Sequence, residues 1–187
     1  MSAVRFSLAA LVGLSLMAVQ PVQAQSATSK VFVEALGGAM VPTFDIANTA
    51  KTGSMIGGTI GYTLSPRLVL MGEFDYGTHK DKATGNVTIK TLHYLGKLGL
   101  SLTGPREKGW EALVNLGAGA VSFDVEGASS VKTYFAINAG AKFTYNLNRT
   151  LGIVISPQGD IAFTKKADLN TTNAWVWPVS AGFRVKF

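Results

Sequence analysis

Apolar and polar residues alternate along most of the chain after residue 29, which is the period of a β-strand. The clearest example is the last segment, Ala174–Phe187, where every second residue is apolar and the face has aromatic rings near both ends. The opposite face of this segment is small or charged and includes Ser180, Arg184 and Lys186. The segment therefore predicts a strand with one apolar face and one polar face.

Eight segments show this alternation or a weaker form of it. We predict strands at Lys30–Met40, Ser54–Leu64, Arg67–Thr78, Thr88–Leu102, Gly109–Phe123, Val131–Tyr145, Arg149–Thr164 and Ala174–Phe187. Longer polar loops alternate with tight turns between them, and an even number of strands returns both chain ends to one side. Pro157 interrupts the seventh segment, where we predict a β-bulge.

Charged residues on the predicted strands fall on the face opposite the apolar one. They are Glu34, Glu73, Asp75, Lys97, Glu111, Lys142, Asp160, Arg184 and Lys186. If the apolar face meets lipid, every backbone amide must be paired, so the sheet has to close. The fold predicted is thus all-β, an eight-stranded antiparallel up-and-down transmembrane β-barrel with charges inside.

An eight-stranded barrel has an interior just wide enough for side chains, so buried charges must pair there. Hairpin register places Asp75 across from His93, where we expect a hydrogen bond, and closure of the barrel places Arg184 near Glu34. Glu73 reaches Lys97 diagonally. The predicted interior charge network is Glu34, Glu73, Asp75, His93, Lys97, Glu111, Lys142, Asp160 and Arg184.

Aromatic residues of the apolar face form two groups, one towards each end of the strands. The predicted membrane-interface aromatics are Tyr62, Tyr76, Tyr94, Trp110, Tyr145, Trp175 and Trp177. Two such belts around an aliphatic band are what lipid–water interfaces select. A soluble barrel of the lipocalin type is the alternative, and it would keep its apolar face inside.

The terminal aromatic Phe187, in register on an alternating strand, resembles the last strand of small eight-stranded outer-membrane β-barrel proteins, the OmpA transmembrane-domain, OmpX and opacity-like group. The resemblance covers residues 30–187. It implies that Phe183, Val185 and Phe187 form the signal read by the outer-membrane assembly machinery. It also implies a place in the cell outer membrane, with both termini periplasmic and with lipid and lipopolysaccharide as surroundings.

The N-terminal segment has the features of a secretory signal peptide. Arg5 is followed by an apolar run, Phe6–Val19, and by the small-residue sequence that ends at Ala24. We predict cleavage after Ala24, which divides the chain into a signal peptide, 1–24, and a barrel domain, 25–187. An uncleaved anchor helix is the alternative, but the run is short for one, since a spanning helix needs about 20 residues.

The composition limits the classes of partner that we expect for this chain. The formal net charge is +6 and there is no cysteine, so no disulfide supports the fold. No basic run is longer than Lys165-Lys166, and an exported chain rarely meets nucleic acid, so we expect no nucleic-acid partner. Lys80, Lys82, Lys165 and Lys166 lie in the predicted loops and could pair with lipopolysaccharide phosphates, or remain simply solvated. The same loops are the candidate contact with a host or other surface ligand.

Catalysis has little support in the sequence. Lipid A-modifying barrels use a histidine with a serine, but neither His79 nor His93 is followed by serine two residues later. Without cysteine or closely spaced histidines we expect no metal and no cofactor.

Small inward residues on the second strand, Gly57, Thr59, Gly61 and Thr63, either make room for long side chains or line a narrow path. We therefore expect a non-enzymatic barrel with a structural or surface-interaction role in the envelope. The alternatives are a narrow channel or a hydrophobic-ligand passage and, third, a lipid A-modifying enzyme.

Overall fold

A computed structural model describes residues 29–169 and 171–187, so the predicted signal peptide, 1–24, lies outside the described residues. The strands are β1 Val31–Thr43, β2 Gly53–Ser65, β3 Leu68–Lys80, β4 Thr88–Ser101, β5 Gly109–Val125, β6 Lys132–Asn146, β7 Leu151–Ala162 and β8 Ala174–Lys186. Each strand pairs antiparallel with its neighbours in sequence, and β8 pairs with β1 to close the barrel. The predicted fold class is confirmed.

The pairing of the first strand with the last, which closes the barrel, is long and closely packed. Twelve residue pairs join β1 to β8, from Phe32 opposite Lys186 to Thr43 opposite Trp175. The amide of Phe187 also donates to the carbonyl of Val31, 2.8 Å away. A Cβ atom on Gly182 would lie only 1.8 Å from the carbonyl oxygen of Ala35 on β1, so this seam requires glycine.

Two details of the predicted strands are wrong. β1 does not end at Met40 but continues to Thr43, because β8 pairs with it throughout. The register of β7 is unbroken across Pro157 on both sides, so there is no bulge there. Proline instead removes an amide donor, and the ladder with β6 lacks its pairs at 156–157 before it resumes in the same register. The register shift lies at Thr63/Ser65, next to the first tight turn.

The connections differ at the two ends of the barrel. The turn end carries the start of β1 and the end of β8, and its connections are residues 66–67, 102–108 and 147–150. The loop end has the connections 44–52, 81–87, 126–131 and 163–173, so the two sets overlap in length. The first loop contains a 3-10 helix, Phe44–Asn48, and the last contains a single α-helical turn, α1, Lys166–Leu169. Ala50 bridges to Asp81, which ties the first two loops together. No helix in residues 29–169 and 171–187 is long and apolar enough to cross a membrane.

Side chains alternate between the interior and the exterior along every strand. Large apolar residues are exposed on the outer wall, among them Ile56, Ile60, Leu98, Leu116 and Phe135. The interior instead holds the charged side chains. This is the reverse of a soluble barrel, so the lipocalin-like alternative is wrong.

We expect Gly182→Ala to destabilise the barrel by about 1–3 kcal/mol, since the added methyl meets the backbone of β1 and cannot be relieved by a side-chain rotation. Gly72→Ala is the matched control, because its Cβ would meet nothing closer than Ile60 Cγ2 at 3.6 Å. Urea unfolding of both variants in lipid vesicles, followed by gel mobility of unboiled samples, measures the difference. Equal stability of the two variants would contradict a tight β1–β8 seam.

Candidate functional site: the charged barrel interior

Because side chains alternate between the two faces of each strand, the predicted charge network lies inside the barrel. Eight of its nine members are buried, from His93 at 0% exposed to Glu73 at 5%, and Glu111 is partly buried. Burial of so many ionisable side chains is tolerated only where each is paired or hydrogen-bonded. The contacts among them therefore decide what the interior can do.

The centre of the network is Lys142 on β6, which binds two carboxylates. Its Nζ lies 2.7 Å from Glu34 Oε2 and 2.9 Å from Glu73 Oε2. Glu73 in turn binds Lys97 of β4 through its other oxygen. The diagonal contact between Glu73 and Lys97 is the one that hairpin geometry predicts.

The same chain of charges continues towards the turn end. Arg184 donates from Nη2 and Nε to Glu34 Oε1, at 2.6 and 2.8 Å. Its Nη1 lies 3.4 Å from Glu111 Oε2, and Lys186 Nζ lies 2.8 Å from Glu111 Oε1. Seven side chains thus alternate in sign: Lys97, Glu73, Lys142, Glu34, Arg184, Glu111 and Lys186. We call them the ion-pair chain.

Two neutral side chains connect the remaining strands to the ion-pair chain. Thr59 of β2 donates to Glu73 Oε2 at 3.1 Å and accepts from Lys142 at 3.0 Å. Gln158 of β7 accepts from Lys97 at 3.5 Å and donates to Ser156 at 2.8 Å. Every strand of the barrel consequently contributes at least one side chain to one hydrogen-bonded assembly that crosses the lumen.

A second polar cluster lies nearer the loops and corrects one expectation. His93 is opposite Asp75 in the β3–β4 register, but its Nδ1 lies 2.6 Å from Asp160 Oδ2 instead. Its ring points across the lumen to Asp160 of β7, which also accepts a hydrogen bond from Asn138 of β6. Asp75 packs against Gly57, whose Cβ would lie 1.9 Å from Asp75 Oδ1. The expected hydrogen bond between His93 and Asp75 is therefore wrong.

Apolar layers lie on both sides of the polar interior. On the loop side, Ile46 of the 3-10 helix packs with Val121, Phe123 and Tyr134 in one cluster. On the turn side, the layer consists of Phe32, Val69, Met71 and Leu113. Ile46 is not among the residues predicted to lie inside, and its only signal in the sequence is that it is a large apolar residue in a polar loop.

The small inward residues mostly lie against long side chains. A Cβ on Gly117 would meet Lys97 Cγ at 2.6 Å, and one on Gly140 would meet Gln158 Oε1 at 1.9 Å. These two glycines therefore make room for polar side chains of the interior.

The two histidines are both enclosed. His79 is buried, and its Nδ1 lies 3.0 Å from the carbonyl oxygen of Lys51. His93 is fully buried and bound to Asp160. Within the described part of the chain, no three His, Asp or Glu side chains are grouped so that they could hold a metal ion.

The loops hold acidic residues in local hydrogen bonds. Asp81 accepts from the amides of Thr84 at 2.7 Å and Val87 at 2.9 Å, and the Thr84 amide in particular lowers the pKa of Asp81. The hydroxyl of Tyr134 donates to Asp168 at 2.8 Å and lowers the pKa of that carboxyl. These carboxylates stay charged and fix the loop conformations.

The predicted interface aromatics and assembly residues lie outside the lumen. Trp110 and Tyr145 pack edge to face near the turns, with ring centroids 5.2 Å apart. Phe74 and Tyr94 pack in the same way nearer the loops, with ring centroids 5.4 Å apart. Phe183 and Phe187 are each 59% exposed on the outer wall. Their roles as belts and as an assembly signal stay predictions.

Comparison with known proteins agrees with this geometry. The family model "outer membrane protein beta-barrel domain" matches residues 6–187. Among solved structures, the outer membrane protein OprG from Pseudomonas aeruginosa has a TM-score of 0.62 at 16% identity, covering 86% of this chain and 97% of that one. Neisserial surface protein A has a TM-score of 0.61 at 15% identity, covering 86% and 98%.

The N-terminal barrel domain of Pseudomonas aeruginosa OprF has a TM-score of 0.55 at 19% identity, covering 86% of this chain and 98% of that one. Identities this low show a shared fold alone. No curated protein sequence matches the chain.

Lys142→Met should destabilise the folded barrel by about 3–5 kcal/mol, because it leaves Glu34 and Glu73 buried without their shared cation. Arg149→Met is the matched control, since the Arg149–Glu107 pair is 74% and 68% exposed and its loss should cost under about 1 kcal/mol. Urea unfolding in vesicles compares them. A Lys142→Met barrel as stable as wild type would show that the ion-pair chain does not hold the fold.

Proposed function

Because this chain belongs to the outer membrane protein β-barrel domain family, we propose that it is a structural, non-enzymatic barrel with a closed lumen. In this proposal both termini are periplasmic and the longer loops face outwards, where they contact the surface layer of the envelope. Short turns on the periplasmic side and longer loops outside are the usual arrangement of such barrels.

One observation carries the closed-lumen proposal: the ion-pair chain crosses the interior with side chains from opposite walls. Lys142 of β6 meets Glu34 of β1, and Arg184 of β8 reaches Glu111 of β5. The apolar layer around Ile46 lies on the loop side of this polar level. An ion that entered would have to break several buried ion pairs, and each broken pair leaves an uncompensated buried charge.

The non-enzymatic part of the proposal is supported by the enclosed histidines. A general base must reach its substrate within hydrogen-bond distance. His93 is bound to Asp160 in the middle of the lumen, and His79 is buried below the first loop. Neither side chain is available to a lipid at the outer surface.

The surface contact we propose is with lipopolysaccharide phosphates, through exposed lysines of the loops. Lys82, Lys165 and Lys166 are exposed at the loop end. A lysine near an anionic membrane surface contributes about 1 kcal/mol, so three together give useful attraction. The backbone that carries Lys82 is tied down, since its amide donates to the carbonyl of Thr49 at 2.7 Å.

A second candidate, passage of small hydrophobic molecules, is favoured by the wall around β7. The ladder with β6 lacks pairs at 156–157, and the ladder with β8 lacks them at 158–159. Beside this stretch the outer wall has an apolar groove of about 340 Å³, lined by Leu116, Ile137, Ile161, Trp175 and Trp177 among others. A hydrophobic molecule would then move through the wall rather than along the lumen.

We expect the folded protein to give no conductance steps in a planar lipid bilayer, because the ion-pair chain occludes the lumen. Samples that migrate faster unboiled than boiled on a gel supply the folded protein, and boiled samples are the control. Reproducible steps that appear only with the folded sample would overturn the closed-lumen proposal. Entry of a hydrophobic fluorophore into protein-containing vesicles, without conductance, would favour the second candidate.

The triple variant Lys82→Gln, Lys165→Gln, Lys166→Gln should bind purified lipopolysaccharide at least about tenfold more weakly at low salt, because it loses three phosphate partners. Arg67→Gln, Lys108→Gln, Arg149→Gln is the matched control, with the same loss of charge at the turn end. Calorimetric titration of the refolded proteins gives both affinities. Equal weakening in the two triples would reduce the effect to net charge and contradict the loop site.

A further inference from the structure

The turn end of the barrel opens into a cavity of about 270 Å³. We call it the mouth cavity. Its lining includes the buried apolar residues Phe32, Val69 and Leu113, and basic residues that include Arg106 and Lys186. Lys142 and Arg184 of the ion-pair chain form its inner boundary, so the cavity is a blind pocket rather than the start of a pore.

Part of the wall of the mouth cavity is apolar. Phe32, Val69 and Leu113 are buried at 5–7% exposure and pack together with Met71. The Arg184 guanidinium lies over the Phe32 ring, 4.1 Å from its centroid, which fixes the ring in place. These side chains offer an apolar surface to a molecule that enters from the turn side.

The charge around the cavity is predominantly positive. Five basic side chains line it, Arg106, Lys142, Arg149, Arg184 and Lys186, against two acidic ones, Glu107 and Glu111. Lys142 and Arg184 are engaged by Glu34, Lys186 by Glu111, and Arg149 by Glu107. Arg106 has no carboxylate partner within the described residues, so its guanidinium retains the capacity to bind an anion.

Hydrogen bonds to its backbone hold Arg106 at the rim of the cavity. Its amide donates to Glu111 Oε1, and its carbonyl accepts from Asn146 Nδ2 at 3.1 Å and from Lys186 Nζ at 3.3 Å. The turn that carries Arg106 is thereby fixed beside the cavity, with the Lys186 ammonium next to it. The backbone that carries Arg106 is thus ordered at the entrance before any ligand arrives, which reduces the entropy lost on binding.

We propose that the mouth cavity is a binding site for a small monocarboxylate with a short apolar body. The apolar part lies against Phe32, Val69 and Leu113, and the carboxylate binds the Arg106 guanidinium. A guanidinium matches a planar carboxylate with two parallel hydrogen bonds. The cavity has the volume of roughly nine water molecules, which suits a chain of about six carbons. This site goes beyond the proposed function, since it lies at the opposite end from the loops.

Hexanoate is the probe, because it is soluble and enters bilayers weakly, and hexanamide is its neutral isostere. The folded protein is titrated in lipid nanodiscs and followed by amide chemical shifts. We expect saturable shifts at Phe32, Leu113 and Arg106, a Kd on the order of 1 mM, and at least tenfold weaker binding of hexanamide. Equal binding of the two probes, shifts confined to the loop end, or no saturable shift would each overturn the proposal.

Variants test the anchoring group and the cavity separately. Arg106→Gln should weaken hexanoate binding about tenfold through loss of a charge-assisted hydrogen bond, whereas Lys82→Gln at the loop end should not. Thr63→Phe places a ring in the cavity, which Thr63 lines, and should abolish binding. Amide spectra of the free variants verify folding. Hexanoate affinity unchanged in Thr63→Phe would place any binding outside the mouth cavity.

Discussion

The charged interior depends on one constraint, that each strand has a single register in which its polar face points inwards. A slip of one residue would exchange the two faces of a strand. For β8 such a slip would carry Arg184 into the outer wall and leave Glu34 with only Lys142. A buried ion pair adds little net stability compared with an apolar pair of the same shape, but breaking one is costly. The ion-pair chain therefore acts mainly by excluding wrong registers.

Much of this arrangement follows from local pattern. Alternation places Glu34, Lys97 and Lys142 inside, and the closure of first on last strand brings Arg184 to Glu34. The Glu34–Arg184 contact joins strands related by closure, and the Glu73–Lys97 contact joins neighbouring strands, so pairing rules reach both. The fold could be predicted for the same reason, since eight alternating segments joined by short connections have few ways to pair.

The remaining details depend on distances across the lumen, which no pairing rule supplies. His93 faces Asp75 in register, yet binds Asp160 on the far wall. Ile46 enters the barrel from a 3-10 helix that loop composition did not indicate. Pro157 suggested a bulge because it lacks an amide donor, but the neighbouring ladder kept its register on both sides. Three-dimensional packing decides each of these cases.

The pairing of Glu34 with Arg184 joins the first strand to the last, and these two residues are 150 positions apart in the sequence. An inserted sheet that had not yet closed would expose both charges, together with two rows of unpaired amides, to hydrocarbon. Intermediate states are therefore disfavoured, and membrane entry becomes a cooperative event. The final step of assembly simultaneously satisfies the backbone and neutralises the lumen, which makes the finished barrel hard to reopen from its edge.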